Sequence, residues 1–130
     1  ATDRAPDLTR IQPLLPLLRS LVDEFNPLAR SVGRIISIDL PEDLLFHGPV
    51  EIAEAILANL LLNAVQHGSG PVQIESAIDG IVITNPTSGN TDAQGFGLGL
   101  EIVQRLAQRL GWRVERLPDA EHVRMRIRFV

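Results

Sequence analysis

Apolar residues recur with a helical period in three parts of the chain. The first part spans residues 14 to 25 and predicts a helix that ends near Asn26-Pro27 or slightly later, because proline restricts the residue before it. The second runs from Val50 to His67 and predicts a long helix that Gly68 ends. The third predicts a helix from about residue 98 to residue 110.

Between the helices, shorter segments alternate apolar and polar residues, as β-strands do. They lie at residues 34–40, 44–47, 72–77, 80–84, 112–117 and 123–130. The middle two flank an Asp79-Gly80 pair, which is typical of a hairpin turn. This order of elements predicts a two-layer α/β sandwich, in which the helices pack on one face of a mixed sheet.

In the last predicted strand, Arg124, Arg126 and Arg128 alternate with apolar residues, so one face of the strand is cationic. The simplest interpretation is a solvated face, and the alternative is docking to an acidic partner.

The composition is that of a soluble globular domain and narrows the partners. The chain has 130 residues, of which 45% are hydrophobic and 22% charged, and its net charge of −4 argues against nucleic acid as a main partner. It has no cysteine, which excludes disulfides and thiolate metal sites. No apolar run reaches the roughly 18 residues that a membrane span needs. All twelve basic residues other than histidine are arginine, so arginine, backbone amides, polar side chains or a metal must hold any phosphate.

Two segments carry candidate chemistry. In the first, residues 95–100, glycines alternate with apolar residues directly before the third helix. Glycine lets the backbone approach a ligand closely, and the N–H groups of a helix N-terminus suit a phosphate. In the second helix, Asn59, Asn63 and Gln66 fall within an arc of roughly 60° beside the apolar face. Asparagine is a poor helix-interior residue. The two asparagines therefore both face solvent, or one of them caps a neighbouring loop, or they supply amide oxygens to a hard cation.

Together these segments resemble the sensor histidine kinases. Residues 59–67, Asn-Leu-Leu-Leu-Asn-Ala-Val-Gln-His, are similar to the N box of that family, and residues 95–103, Gly-Phe-Gly-Leu-Gly-Leu-Glu-Ile-Val, match its G2 box. The motifs occur in the order of the family, and the resemblance covers residues 14–130. It implies the Bergerat ATP-binding fold for residues 14–130, with residues 1–13 as a leader or linker from an upstream domain.

The resemblance also implies a site for ATP and Mg²⁺. The position of Asn63 holds the metal in the family, with Asn59 as a candidate second ligand. ATP-hydrolysing relatives place a glutamate base at position 59, so Asn59 favours the kinase branch. No catalytic residue is assigned. The predicted nucleotide-binding residues are Asn59, Asn63, Gln66, His67, Asn85, Thr87, Gly95, Gly97, Leu98, Gly99 and Leu100.

Some positions depart from the pattern of the family. Gln66 stands where a lysine or arginine is usual, and His67 either contacts the nucleotide or caps the helix end. The family reads adenine with an aspartate that begins its G1 box, whereas this chain has Asn85-Pro86, an uncharged acceptor followed by a stiff residue. The segment from Pro86 to Gln94 is short for an ATP lid.

These features predict the ATP-binding catalytic domain of a bacterial two-component sensor histidine kinase. Its phosphoryl acceptor is expected on an upstream dimerisation domain, because none of the three histidines has the acceptor pattern. The other expected partner is a response regulator, with no nucleic acid and no direct membrane contact. We expect a cytoplasmic location, as part of a membrane-anchored sensor. The alternatives are a catalytically impaired nucleotide-binding regulatory module and a stand-alone kinase or ATPase of the same superfamily.

Overall fold

Three helices pack against one face of a five-stranded mixed sheet in the computed structural model, which describes residues 7–87 and 97–129. The helices are α1 (Leu14–Ser31), α2 (Val50–His67) and α3 (Gly97–Leu110). The strands are β1 (Ile11–Pro13), β2 (Ile36–Asp39), β3 (Leu45–His47), β4 (Val72–Ala77), β5 (Gly80–Pro86), β6 (Arg113–Leu117) and β7 (His122–Arg128). The sheet has the order β2-β4-β5-β7-β6; β2 and β4 are parallel and the other pairs are antiparallel. The predicted two-layer α/β sandwich is confirmed.

Alternation along the strands separates a buried face of the sheet from an open one. The buried face carries Val72, Ile74, Ile81, Ile83, Val123, Met125 and Ile127, none of which is more than 5% exposed. In the register of the antiparallel strands, Ile83 lies between Ile74 and Met125, so apolar residues from three strands form one row. The predicted alternation of apolar and cationic positions in β7 is confirmed, because Met125 and Ile127 are buried while the arginines lie on the open face.

Helix α1 continues four residues beyond Pro27, to Ser31, and so ends later than Asn26-Pro27. A proline inside a helix removes one backbone hydrogen bond and costs about 3 kcal/mol. The residues after it offset this cost, since Ala29 is fully buried and Leu28 packs against the core. Gly33, with a φ of +71°, follows the helix, and its N–H donates to the carbonyl of Arg30.

The hairpin between β4 and β5 turns one residue earlier than the sequence predicts. Ala77 pairs with Gly80, so the two turn residues are Ile78 and Asp79, and Asp79 has the positive φ of 61°. Gly80 is already part of the strand. A Cβ added at Gly80 would lie 1.8 Å from the carbonyl oxygen of Ile127 in β7. Glycine is therefore required by the close approach of two strands.

A strand that the sequence pattern does not predict lies at residues 11–13. Strand β1 pairs antiparallel with β3, with Gln12 opposite Phe46. Phe46 is fully buried and meets Trp112 edge to face, with ring centroids 5.9 Å apart. This contact joins the two-stranded sheet to the main core. The assignment of residues 1–13 to a leader or linker stays a prediction.

Candidate functional site

The C-terminal half of α2 carries the predicted N-box side chains beside its buried face. Ala53, Ile56, Leu57, Leu60 and Ala64 form the apolar face and are at most 3% exposed, and Leu61 and Val65 are also buried. Asn59 is half-buried, and its Nδ2 donates to the carbonyl oxygen of Ala55 at 2.7 Å. Because that partner is an acceptor, the amide nitrogen must face it. The oxygen of Asn59 is consequently the end of the amide that points away from the helix backbone.

Asn63 lies one turn further along α2 and is also half-buried. Within residues 7–87 and 97–129 its side chain makes no hydrogen bond, in contrast to Asn59. A partly buried amide without an internal hydrogen-bond partner does not stabilise the fold through its polar group. Its oxygen is free to accept from a ligand or to bind a cation. Gln66 and His67 are exposed at the end of the helix.

The end of β5 is fastened to the end of α2 by the carbonyl oxygen of Pro86. This oxygen accepts from the backbone N–H of Ser69 at 2.9 Å and from Nδ2 of Asn85 at 3.1 Å. Asn85 is 2% exposed and is the one buried polar side chain among the described residues. With its nitrogen bound to Pro86, the amide of Asn85 has its oxygen left as an acceptor. A carboxylate in this position would have no proton to donate to Pro86.

Two glycines make this junction close. A Cβ at Gly68 would lie 2.5 Å from Nδ2 of Asn85 and 2.6 Å from the carbonyl oxygen of Ala64, and a Cβ at Gly70 would lie 2.9 Å from Cγ of Pro86. The backbone of Gly68 is extended, with a φ of −77° and a ψ of 171°, which any residue can adopt. The sequence predicts Gly68 only as the end of the helix. Its contact with Asn85 has no local sequence signal, because the two residues meet only through the fold.

The glycine segment leads into α3, which begins at Gly97 and packs against α2. The backbone of Gly97, Leu98, Gly99 and Leu100 forms the first turn of this helix, and phosphate binding by this turn stays a prediction. Gly95 lies outside the described residues. Thr87 is the last described residue before the gap, and its N–H donates to the carbonyl oxygen of Glu121 at 3.0 Å.

The fold therefore places the three predicted segments on neighbouring elements, namely α2, the end of β5 and the start of α3. Within the described ranges, no group of three acidic or histidine side chains is arranged to hold a cation. The described carboxyls with shifted pKa lie elsewhere. The pKa of Glu115 is lowered by its hydrogen bond from Arg126, that of Asp119 mainly by the backbone N–H of Glu121, and that of Asp7 by Thr9.

Several solved structures with a similar backbone arrangement are histidine kinases. The cytoplasmic segment of histidine kinase QseC matches 93% of this chain and 77% of its own chain, with a TM-score of 0.78 and 22% identity. The catalytic domain of histidine kinase ThkA matches 91% of this chain and 92% of its own, with a TM-score of 0.73 and 16% identity. The chain has the fold of a histidine kinase catalytic domain.

A third structure with this kinase fold extends well beyond the matched part. Full-length ShkA in complex with AMPPNP matches 92% of this chain but 30% of its own, with a TM-score of 0.70 and 23% identity. No protein-family model and no curated protein matches the chain. Among the described helices of this kinase fold, none combines the length and the hydropathy needed to cross a bilayer.

Proposed function

We propose that this chain is the ATP-binding catalytic domain of a two-component sensor histidine kinase. The observation that carries the proposal is Asn63, a half-buried amide without an internal hydrogen bond in the described structure, on the helix that packs against the glycine-initiated α3. In a histidine kinase fold this is the arrangement expected for a cation and phosphates held between two helices. ShkA, which shares the fold, was solved in complex with AMPPNP.

The side chains of α2 suit Mg²⁺. This ion prefers oxygen ligands and usually bridges to the phosphates of the substrate. Asn63 would supply one oxygen, and Asn59 would present a second because its nitrogen is bound to Ala55. Bound Mg²⁺ supplies neutralisation of phosphate charge. The first-turn N–H groups of α3, at Gly97, Leu98, Gly99 and Leu100, would contact the phosphates, together with Gly95.

Asn85 would receive the adenine ring. Its Nδ2 is bound to the carbonyl of Pro86, so its oxygen would accept from the exocyclic amine of the base. Thr87 follows Asn85 by two residues and His67 directly precedes Gly68, which lies against Asn85, so both would contribute polar contacts. Gln66 would bring no positive charge to the phosphates.

The proposed reaction moves the γ-phosphoryl group of ATP to a histidine on a separate dimerisation domain. The bond between the γ-phosphorus and the bridging oxygen breaks, a phosphorus–nitrogen bond forms, and ADP leaves with the oxygen. Such transfer depends mainly on positioning and charge neutralisation. A response regulator would then receive the phosphoryl group, and we propose a cytoplasmic location for this part of the sensor.

Nucleotide binding is tested by calorimetry with Mg·ATP and Asn63→Ala. We expect at least a tenfold loss of affinity in the presence of Mg²⁺. The free energy of unfolding of the variant should equal that of the parent or exceed it by up to about 0.5 kcal/mol, because alanine favours a helix more than asparagine does. The matched control is Asn26→Ala, which changes a half-buried asparagine of α1. An affinity unchanged by Asn63→Ala would refute Asn63 as a ligand.

Phosphotransfer is tested separately, with labelled ATP and a longer protein that carries an upstream histidine domain. Label on the histidine supports the kinase. The second candidate, a regulatory module that binds nucleotide without catalysis, is favoured by the uncharged Gln66. Measurable ATP affinity without any labelled histidine would select that candidate.

A further inference from the structure

The open sheet face, which is the side of the five-stranded sheet that points away from the helices, carries opposite charges on its two halves. Its acidic half consists of the outward residues of β2 and β4, which are Ser37, Asp39, Gln73, Glu75 and Ala77. Its basic half consists of those of β6 and β7, which include Arg113, Glu115, Arg124, Arg126 and Arg128 together with Leu117 and His122. The acidic half carries two carboxylates, a net charge of −2. The basic half carries four arginines and one glutamate, a net charge of +3.

Strand β5 separates the halves and is itself uncharged on this side. It is the third of the five strands, and its outward positions are Gly80, Val82 and Thr84. Strands lie about 4.8 Å apart, so β4 and β7 are roughly 10 Å from each other across β5. The order acidic, neutral, basic is therefore arranged about the central strand.

In the described part of the chain, four of the seven charged side chains named on this face form no ion pair. Arg126 pairs with Glu115 on the neighbouring strand, and Arg128 lies 3.9 Å from Asp79. Among the described residues, no ion pair is found for Arg124, Asp39 or Glu75. The acidic half also contains a depression of about 350 Å³, lined by Ser37, Asp39, Gln73, Ile74 and Glu75. A depression of this size admits a long side chain.

We propose that the open sheet face binds the same face of a second copy of this chain. A purely acidic partner would meet Asp39 and Glu75 with like charge, and a purely basic partner would meet the arginines. A twofold axis that lies between the two faces and runs parallel to β5 brings the basic half of the second copy onto the acidic half of the first. The same rotation brings the acidic half of the second copy onto the basic half of the first. An axis across the strands would place arginines on arginines. The charge order therefore selects one of the two face-to-face arrangements.

The size of the face sets the expected strength. Five strands of four to seven residues cover roughly 300–450 Å² on each copy, about half of the 800 Å² per partner of a stable complex. The pair is therefore weak and reversible. Its attraction comes from partly exposed charges, so salt should weaken it strongly.

The test is sedimentation of the 130-residue chain over a wide concentration range with two charge-reversed variants. Asp39→Arg/Glu75→Arg makes the whole face basic, and Arg113→Glu/Arg124→Glu gives both halves a net negative charge. Within the part of the chain that the structure describes, none of the four side chains forms an ion pair, so both variants should fold. We expect the parent to dimerise at low salt between about 20 µM and 1 mM, as a small interface allows.

We expect each variant alone to lose at least tenfold in association, and an equimolar mixture of the two to form a heterodimer. Restored association in the mixture distinguishes charge pairing between copies from a change of fold. A parent that stays monomeric at 1 mM overturns the proposal, and binding of a polyglutamate peptide in that case would assign the basic half to an acidic partner. Parent-like association of both variants overturns it as well.

Discussion

Replacement of Asn85 by aspartate, the residue that the kinase motif has at this position, should destabilise this chain. Asn85 is 2% exposed, and its Nδ2 donates to the carbonyl oxygen of Pro86 at 3.1 Å. An ionised aspartate has no proton to donate, so the carboxylate would face that oxygen in a buried position. Loss of a buried hydrogen bond alone costs about 1–3 kcal/mol.

The charge adds a cost that depends on pH. Burial beside a carbonyl favours the protonated acid, so the pKa of the introduced carboxyl in the folded Asn85→Asp variant should rise above its unfolded value of about 3.9. The folded variant can avoid the charge by binding a proton, which costs about 1.36 kcal/mol for each pH unit above 3.9. This limits the charge penalty to about 4 kcal/mol at pH 7 and to about 0.8 kcal/mol at pH 4.5. The protonated acid can donate to Pro86 and restores the hydrogen bond.

Urea denaturation measures this effect, with the fluorescence of Trp112, which is 4% exposed, as the readout. The stability of Asn85→Asp relative to the parent should fall as the pH rises from 4.5 towards the raised pKa. Asn85→Ala should lose stability by an amount that does not depend on pH, and Asn26→Asp should change little. Equal stability of Asn85→Asp and the parent at pH 7 would refute the assigned contact with Pro86.

Three further predictions concern the glycines and the open sheet face. Gly80→Ala should lower the free energy of unfolding, measured by urea denaturation, by about 3 kcal/mol because the added Cβ meets the backbone of β7. The control Gly33→Ala has open space around it and should lose about 1 kcal/mol because of its positive φ. Equal losses in the two variants would contradict the steric explanation. Gly68→Ala should lower the free energy of unfolding by about 1–3 kcal/mol. The loss should be smaller when Asn85 is already replaced by alanine, because Asn85 supplies one of the two close contacts. Purely additive losses in the double variant would exclude that contact. Arg126→Gln should raise the pKa of Glu115 in an NMR titration, because Nε of Arg126 donates to that carboxylate at 2.8 Å. The stabilisation by this pair is present above the unfolded pKa of the glutamate and is lost as pH falls through the lowered folded pKa; an unchanged titration would contradict it.

Local periodicity was sufficient to predict most of the fold. Helix α2 has the predicted bounds, and the hairpin strands lie where alternation places them. The differences arise where tertiary packing decides. Helix α1 continues past Pro27 because Ala29 is buried beyond it. The sequence pattern places Gly80 in the turn and at the start of the strand, but it does not show that glycine is needed there to admit the backbone of β7, a strand that is distant in sequence.

The candidate site also has features that follow from the sequence and features that depend on tertiary contacts. Helical spacing places Asn59 and Asn63 on one border of α2, and this follows from the sequence alone. The orientation of the amide of Asn85 does not, because it depends on a carbonyl that also accepts from Ser69. That carbonyl gives a physical reason for the departure from the kinase motif. Where Pro86 turns its oxygen inward, an amide that donates is better suited to the junction than a carboxylate.

Asn59 extends this reasoning to the choice between kinase and hydrolase. Its nitrogen donates to the carbonyl oxygen of Ala55, a bond that an ionised glutamate could not make. A glutamate at this position would have to turn away from the helix backbone, as a base directed at water does. The amide instead binds the helix with one end and presents its oxygen with the other. At neutral pH that oxygen accepts hydrogen bonds or binds a cation but takes no proton. The side chain at position 59 therefore lacks the proton-accepting base that hydrolysis of a nucleotide would need.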